Sequence, residues 1–100
     1  MDSINFHKVI NWQRETFRHA TALSKIAHLK QELEELEADI KEDKDSRLEF
    51  ADCFILLFGA AECEGMTYSS IQMCIENKME INYNRKWGDP DENGVVNHIK

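Results

Sequence analysis

The chain has 100 residues, room for one domain over residues 1–100 with a modest hydrophobic core. Its 12 Lys and Arg stand against 19 Asp and Glu, a formal charge of −7, which argues against a nucleic-acid phosphate backbone as partner and suits cations or cation-bridged phosphates. The three cysteines, Cys53, Cys63 and Cys74, lack metal-ligand spacing and read as reduced core residues. With no apolar run of membrane-spanning length, and no basic-then-apolar start after Met1-Asp2-Ser3, the expectation is a soluble, cytosolic protein without a membrane partner.

A single proline, Pro90, few glycines and no sustained period-2 alternation before the last residues predict an all-α fold. The first helix starts with Ser3 as N-cap and carries Phe6, Val9, Ile10 and Phe17 on one stripe. The pattern weakens around residues 19–24, where Thr21 or Ser24 caps a second helix with Leu29, Leu33, Leu36 and Ile40 as its core stripe. The charged stretch 41–46 is a loop, and Asp45 or Ser46 caps a third helix that stops at Gly65 in the manner of a C′ glycine.

That third helix is apolar on most sides, through the stretch from Phe50 to Ala61, so in a soluble protein it needs cover from other helices or another subunit. Thr67 or Ser69 caps a fourth helix reaching about Lys86. The tail has turn chemistry at Asp89-Pro90 and Asn93-Gly94, and its end, Val95 to Lys100, is apolar enough to dock as a short extended piece.

Two carboxylate pairs carry the chemistry. Glu32 with Glu35, and Glu49 with Asp52, have i, i+3 spacing, which places each pair on one helix face roughly 5–6 Å apart at Cβ. Two such helices side by side present four hard oxygen ligands, the outline of a magnesium site. On a helical wheel Glu32 and Glu35 flank the core stripe together with His28 and Asp39, whereas Glu34 and Glu37 fall on the opposite, solvated side. Asp52 lies between Ala51 and Cys53, where an unpaired buried carboxylate would be costly and a divalent cation would remove that cost. Against this, acidic pairs are common on solvated helices, and the first turns of a helix favour acids through the macrodipole, which explains Glu49 better than Asp52.

Helix four adds a cationic clue. With Ile71 at zero, Ile75, Lys78, Asn82 and Arg85 lie within about 40° of its apolar face. Inward Lys and Arg suit a pocket holding an anion, Arg as a planar fork and Lys as a point charge; the alternative is that Lys78 pairs with Asp52 or Glu49.

Glu32-x-x-Glu35, thirteen intervening residues, Glu49-x-x-Asp52, then Lys78-x-x-x-Asn82-x-x-Arg85 resemble the all-α nucleoside triphosphate pyrophosphatases of the MazG type. Trp12-Gln13, Thr16-Phe17, His28-Leu29 before Gln31-Glu32, Lys78-Met79, Arg85-Lys86-Trp87 and Asn97-His98 are similar to the small phage and bacterial dATP/dGTP diphosphohydrolases of that superfamily. The chain departs from them with Arg18 where Thr-Phe-Gly is usual, and with Gly88 where a proline commonly follows Arg-x-Trp.

The resemblance implies a four-helix bundle-like MazG-type fold with a short irregular C-terminal tail, assembled as a homodimer or homotetramer. It implies hydrolysis of a (deoxy)nucleoside triphosphate, dATP or dGTP, between the α and β phosphates, with Mg2+ or Mn2+ on Glu32, Glu35, Glu49 and Asp52. Either Glu32 or Glu35 doubles as general base. Lys78 and Arg85 would neutralise the phosphates and Asn82 would hydrogen-bond phosphate or sugar. For the base, Trp12, Phe17 and Trp87 are candidate stacking faces and Gln13 and Asn11 candidate edge readers, although Phe17, like Phe6, reads better as core. The competing reading from the residues alone is a non-catalytic acidic helical module that senses nucleotides or binds a basic protein.

Overall fold

Asp2, rather than Ser3, caps the first helix: its carboxylate accepts from the Asn5 amide at 2.8 Å, and α1 runs Ser3–Thr16. The computed structural model describes residues 1–100, of which 67% are helical. The chain divides into two compact units, Met1–Tyr68 and Ser69–Lys100.

In the first unit, α2 (Ala22–Lys41) opens with a reciprocal capping box. The Thr21 amide donates to Ser24 Oγ at 2.8 Å and the Ser24 amide to Thr21 Oγ1 at 3.1 Å, so both residues named from the sequence take part. At its other end Asp43 adopts φ 56°, its amide reaching Ile40 O while the Lys44 amide reaches Asp39 O, a Schellman closure without glycine. The third helix, α3 (Arg47–Cys63), has Ser46 at the cap position without a side-chain bond; Asp45 instead accepts from the Arg47 amide at 3.2 Å. It closes as expected on Gly65, at φ 88°, with Gly65 N bonded to Glu62 O and Met66 N to Ala61 O.

α2 packs along α3, and α1 contacts α3 more lightly. The core is small: Phe6, Ile10, Leu36, Leu56 and Ala60 are the buried apolar residues. Phe6 sits edge-on to Phe58 at 5.5 Å and beside Tyr68 at 5.3 Å, and the Tyr68 hydroxyl donates to Met1 O at 2.6 Å. Several expected core positions are not covered by this chain. Of the α2 stripe only Leu36 is buried, while Leu33 and Ile40 are exposed, as are Leu48, Phe50, Phe54 and Leu57 of α3. Cys53 is half-buried but Cys63 and Cys74 are exposed thiols, not core residues.

In the second unit, α4 (Tyr68–Tyr83) ends before Arg85, not near Lys86, and buries no residue. A turn follows, with Asn84 N bonded to Ile81 O and Arg85 N to Asn82 O. The tail does form an extended pairing. Trp87 and His98 make an antiparallel bridge, Gly88 N donates to Asn97 O at 2.9 Å and Ile99 N to Lys86 O at 2.8 Å. A proline at position 88 could not supply that donor. The reversal between the two segments is organised by Asp91, whose carboxylate accepts from the amides of Asn93 and Val95, with Gly94 at φ 80°. No helix is long and apolar enough to cross a membrane.

Candidate active site

A cavity of about 140 Å3 opens where α1, α2 and α3 meet. Glu32 enters it from α2 and Asp52 from α3, with Trp12, Gln13 and Phe17 supplied by the end of α1 and Ile55 and Leu56 forming apolar lining. Neither Lys nor Arg lines it. The two carboxylates therefore share a pocket with no fixed cation, and the nearby polar partner is His28, whose Nε2 lies 3.4 Å from Glu32 Oε1 one helical turn away. The same crowding shows on Cys53: burial, then the negative charges of Glu32 and Asp52, hold its thiol above the ordinary cysteine range.

Asp52 itself is exposed, so the burial argument made for it from the sequence does not hold in this chain; its environment is set by the open mouth of the pocket and by Glu32. Glu35 is exposed on α2 and Glu49 half-buried in the first turn of α3, and neither lines the cavity. No three His, Cys, Asp or Glu side chains come together as a ready ligand group. The structure thus brings together one acid of each pair.

Gln13 is 2% exposed and its amide is committed: Nε2 donates to Ile55 O at 2.9 Å, and Oε1 accepts from Lys25 Nζ at 2.7 Å. As an edge reader it is a clamped group with one amide hydrogen unassigned, not a freely turning one. Phe17, expected in the core, is 39% exposed and stands at the pocket wall, edge-on to Trp12 at 5.6 Å. The sequence reading missed Lys25 altogether. It is only 6% exposed, with its ammonium 5.3 Å from the centre of the Phe17 ring. A signal was available, since Lys25 falls near 320° on the wheel that puts Leu29 at zero, at the edge of the α2 core stripe.

The remaining candidates belong to the second unit. Lys78 is exposed on α4, and Asn82 and Arg85 are half-buried, Arg85 beyond the helix end. The Asn82 side-chain oxygen is buried and accepts no hydrogen bond, while its backbone oxygen receives the Trp87 indole N–H at 3.2 Å. Trp87 is half-exposed, with its ring edge-on to His98 at 6.3 Å.

A comparison with curated protein sequences returns no significant match. Among solved structures, the chain is similar to a MazG-like pyrophosphohydrolase of cyanophage S-2L, bound to dGDP and three catalytic Mn2+ ions per active site. The TM-score is 0.79 at 26% sequence identity, over 100% of this chain and 95% of that one. The expected MazG-like all-α fold is therefore the observed one. The model of the dATP/dGTP pyrophosphohydrolase family matches residues 6–100, and with nearly the whole length matched the chain belongs to that family, enzymes that hydrolyse nucleoside triphosphates.

Proposed function

We propose that the cavity between α1, α2 and α3 is the reaction site of a divalent-metal-dependent dATP/dGTP pyrophosphohydrolase, releasing monophosphate and pyrophosphate. The observation that carries this reading is the meeting of Glu32 and Asp52, from different helices, in one pocket without Lys or Arg and beside exposed aromatic faces. Two like charges so placed repel each other unless a cation is shared between them, and hard carboxylate oxygens suit Mg2+ or Mn2+. The fit is partial in a useful sense. Mg2+ commonly takes one or two carboxylates and fills its sphere with water and substrate phosphate, so a site of two facing acids needs no third preassembled ligand. The Mn2+ ions and dGDP of the cyanophage protein support this choice of metal and substrate class.

When bound, the cation would polarise the phosphate oxygens and lower the pKa of the attacking water. This chain's own groups do the rest. Glu32 and Asp52 would hold the cation, and Glu35 and Glu49, one turn away on the same helices, are the further carboxylates that would supply oxygen ligands to it. Either Glu32 or Glu35 accepts the proton of the water, and His28 at 3.4 Å orients Glu32. Trp12 and Phe17 offer faces for a purine, and Gln13 holds one fixed amide edge beside them. Lys78 and Arg85 are assigned to phosphate charge, and the unbonded buried oxygen of Asn82 to a substrate hydroxyl. Trp87 braces the chain next to Arg85 through Asn82.

We also assign a homodimer or homotetramer, acting in the cytosol on free nucleotides. Twenty large hydrophobic side chains are exposed against five buried apolar residues, so one chain leaves most of its apolar surface uncovered. The test of the reaction is direct: Asp52→Asn and Glu32→Gln should each abolish metal-dependent release of pyrophosphate from dGTP while circular dichroism stays helical. Full turnover by both variants would remove the assignment.

A further inference from the structure

Lys25 is a buried ammonium with no carboxylate. Its only hydrogen bond is to the neutral Oε1 of Gln13, at 2.7 Å, and the Phe17 ring face lies 5.3 Å away, so two of its three N–H donors have no acceptor. A buried charge is normally paired, and a neutral amide with an aromatic face compensates less than an anion does. Lys25 lies in the wall of a second cavity, of about 120 Å3, on the other side of Gln13 and Phe17 from the acidic pocket.

The charges around this cavity are Lys25 from α2, Arg14 from α1, Arg18 from the turn after α1 and Glu62 from α3. Glu62 is bonded to Arg14, which holds the guanidinium above its usual range and uses up the one acid. Arg18 is exposed at the rim and makes no ion pair. The cavity therefore carries a net charge of +2 in a chain whose total is −7. Three other basic groups, Lys41, Lys44 and Arg47, pair with the neighbouring acids Glu37, Glu42 and Asp45, all on the exposed surface, whereas Lys25 is buried.

From this geometry we infer an oxyanion site, separate from the acidic pocket, that takes a phosphate group: Lys25 forms its floor and Arg18 its rim. The two unbonded Lys25 donors meet phosphate oxygens as a point charge, and Arg18 closes over the group with its planar fork. The cavity, at about 120 Å3, has room for a phosphate group over Lys25, and the second group of pyrophosphate would lie toward Arg18 at the rim.

The test is a titration of the full chain, freed of metal by chelation and exchanged into a chloride buffer, with inorganic phosphate and separately with pyrophosphate. Binding is read by 31P NMR and by thermal melting. We expect both anions to bind and to raise Tm. Arg18→Glu should weaken binding about tenfold through the lost charge-assisted hydrogen bonds, and Lys25→Met should abolish it. Because Lys25→Met also removes the anchor of Gln13, Arg18→Glu at the exposed rim decides the matter if the first variant does not fold. Binding must persist in Lys78→Ala/Arg85→Ala and in Glu32→Gln, which separates this site from the reaction proposed above. No binding by the parent chain, binding unchanged in Arg18→Glu, or binding lost in Lys78→Ala/Arg85→Ala would overturn the inference.

Discussion

Gly59 and Gln13 are in mutual contact across α3 and α1: a Cβ built on Gly59 would lie 2.1 Å from Gln13 Oε1 and 2.7 Å from its Cδ. Only a glycine lets that amide lie against the helix, where it bridges the Ile55 carbonyl to the Lys25 ammonium. Gly59→Ala would gain about 1 kcal/mol of helix propensity. It would also push the amide out of place, and leaving Ile55 O and the buried ammonium without their partner costs about 1–3 kcal/mol for each group. The loss outweighs the gain. Urea unfolding should show net destabilisation of about 1–5 kcal/mol, and a stabilised variant would mean that Gln13 is not held there.

The carboxylates separate by position. Glu32→Gln and Asp52→Asn should each reduce kcat at least about a hundredfold, the scale seen when a key electrostatic group is removed from a reacting centre. Glu34→Gln, on the exposed side of α2, should leave kcat within about twofold, since exposed charges remote from a site act weakly. Steady-state pyrophosphate release measures all three, and equal losses across them would point to folding rather than chemistry.

Two helix ends use the same left-handed turn with different residues, Asp43 at φ 56° and Gly65 at φ 88°. The left-handed conformation costs an ordinary L-residue roughly 1–2 kcal/mol, while glycine carries about 0.5–1 kcal/mol more unfolded-state entropy. Asp43→Gly should therefore stabilise by about 0.5 kcal/mol and Gly65→Ala should destabilise by about 1 kcal/mol, both read from denaturant midpoints at unchanged m.

Assembly has its own test. Phe54 is 58% exposed on α3, and a charge there would be costly only if another subunit covers it. Sedimentation velocity of Phe54→Glu should show a shift toward monomer relative to the parent chain. An unchanged distribution would place the interface elsewhere.

Helix positions were legible because the residues that stop and start helices act locally: Thr21 and Ser24 bond to each other, Gly65 takes a backbone angle, and Asp45 reaches the amide two residues on. Direction around a helix was legible too, for Phe6, Ile10 and Leu36. Cover was not, because a stripe such as Leu33 and Ile40 points to a surface that a single chain leaves open. The convergence of Glu32 with Asp52 follows from two acidic edges facing one another, but spacing alone does not tell which acid of each pair faces the pocket. Lys25 escaped notice since its partner is a neutral amide twelve residues away, and no charge pattern marks such a bond. The end of α4 at Tyr83 was also missed: Asn84 and Arg85 continue the turn, and the following segment pairs with the tail through Gly88 and Ile99 instead of extending the helix.

The central claim is that the acidic pocket cleaves purine deoxynucleoside triphosphates between the α and β phosphates. Purified protein should be incubated with Mg2+ or Mn2+ and each of the common ribo- and deoxyribonucleoside triphosphates, and the products resolved. Selective conversion of dATP or dGTP to monophosphate plus pyrophosphate, lost on chelation and in Asp52→Asn, is the result expected. Diphosphate plus phosphate as products, or turnover that survives both treatments, would contradict it.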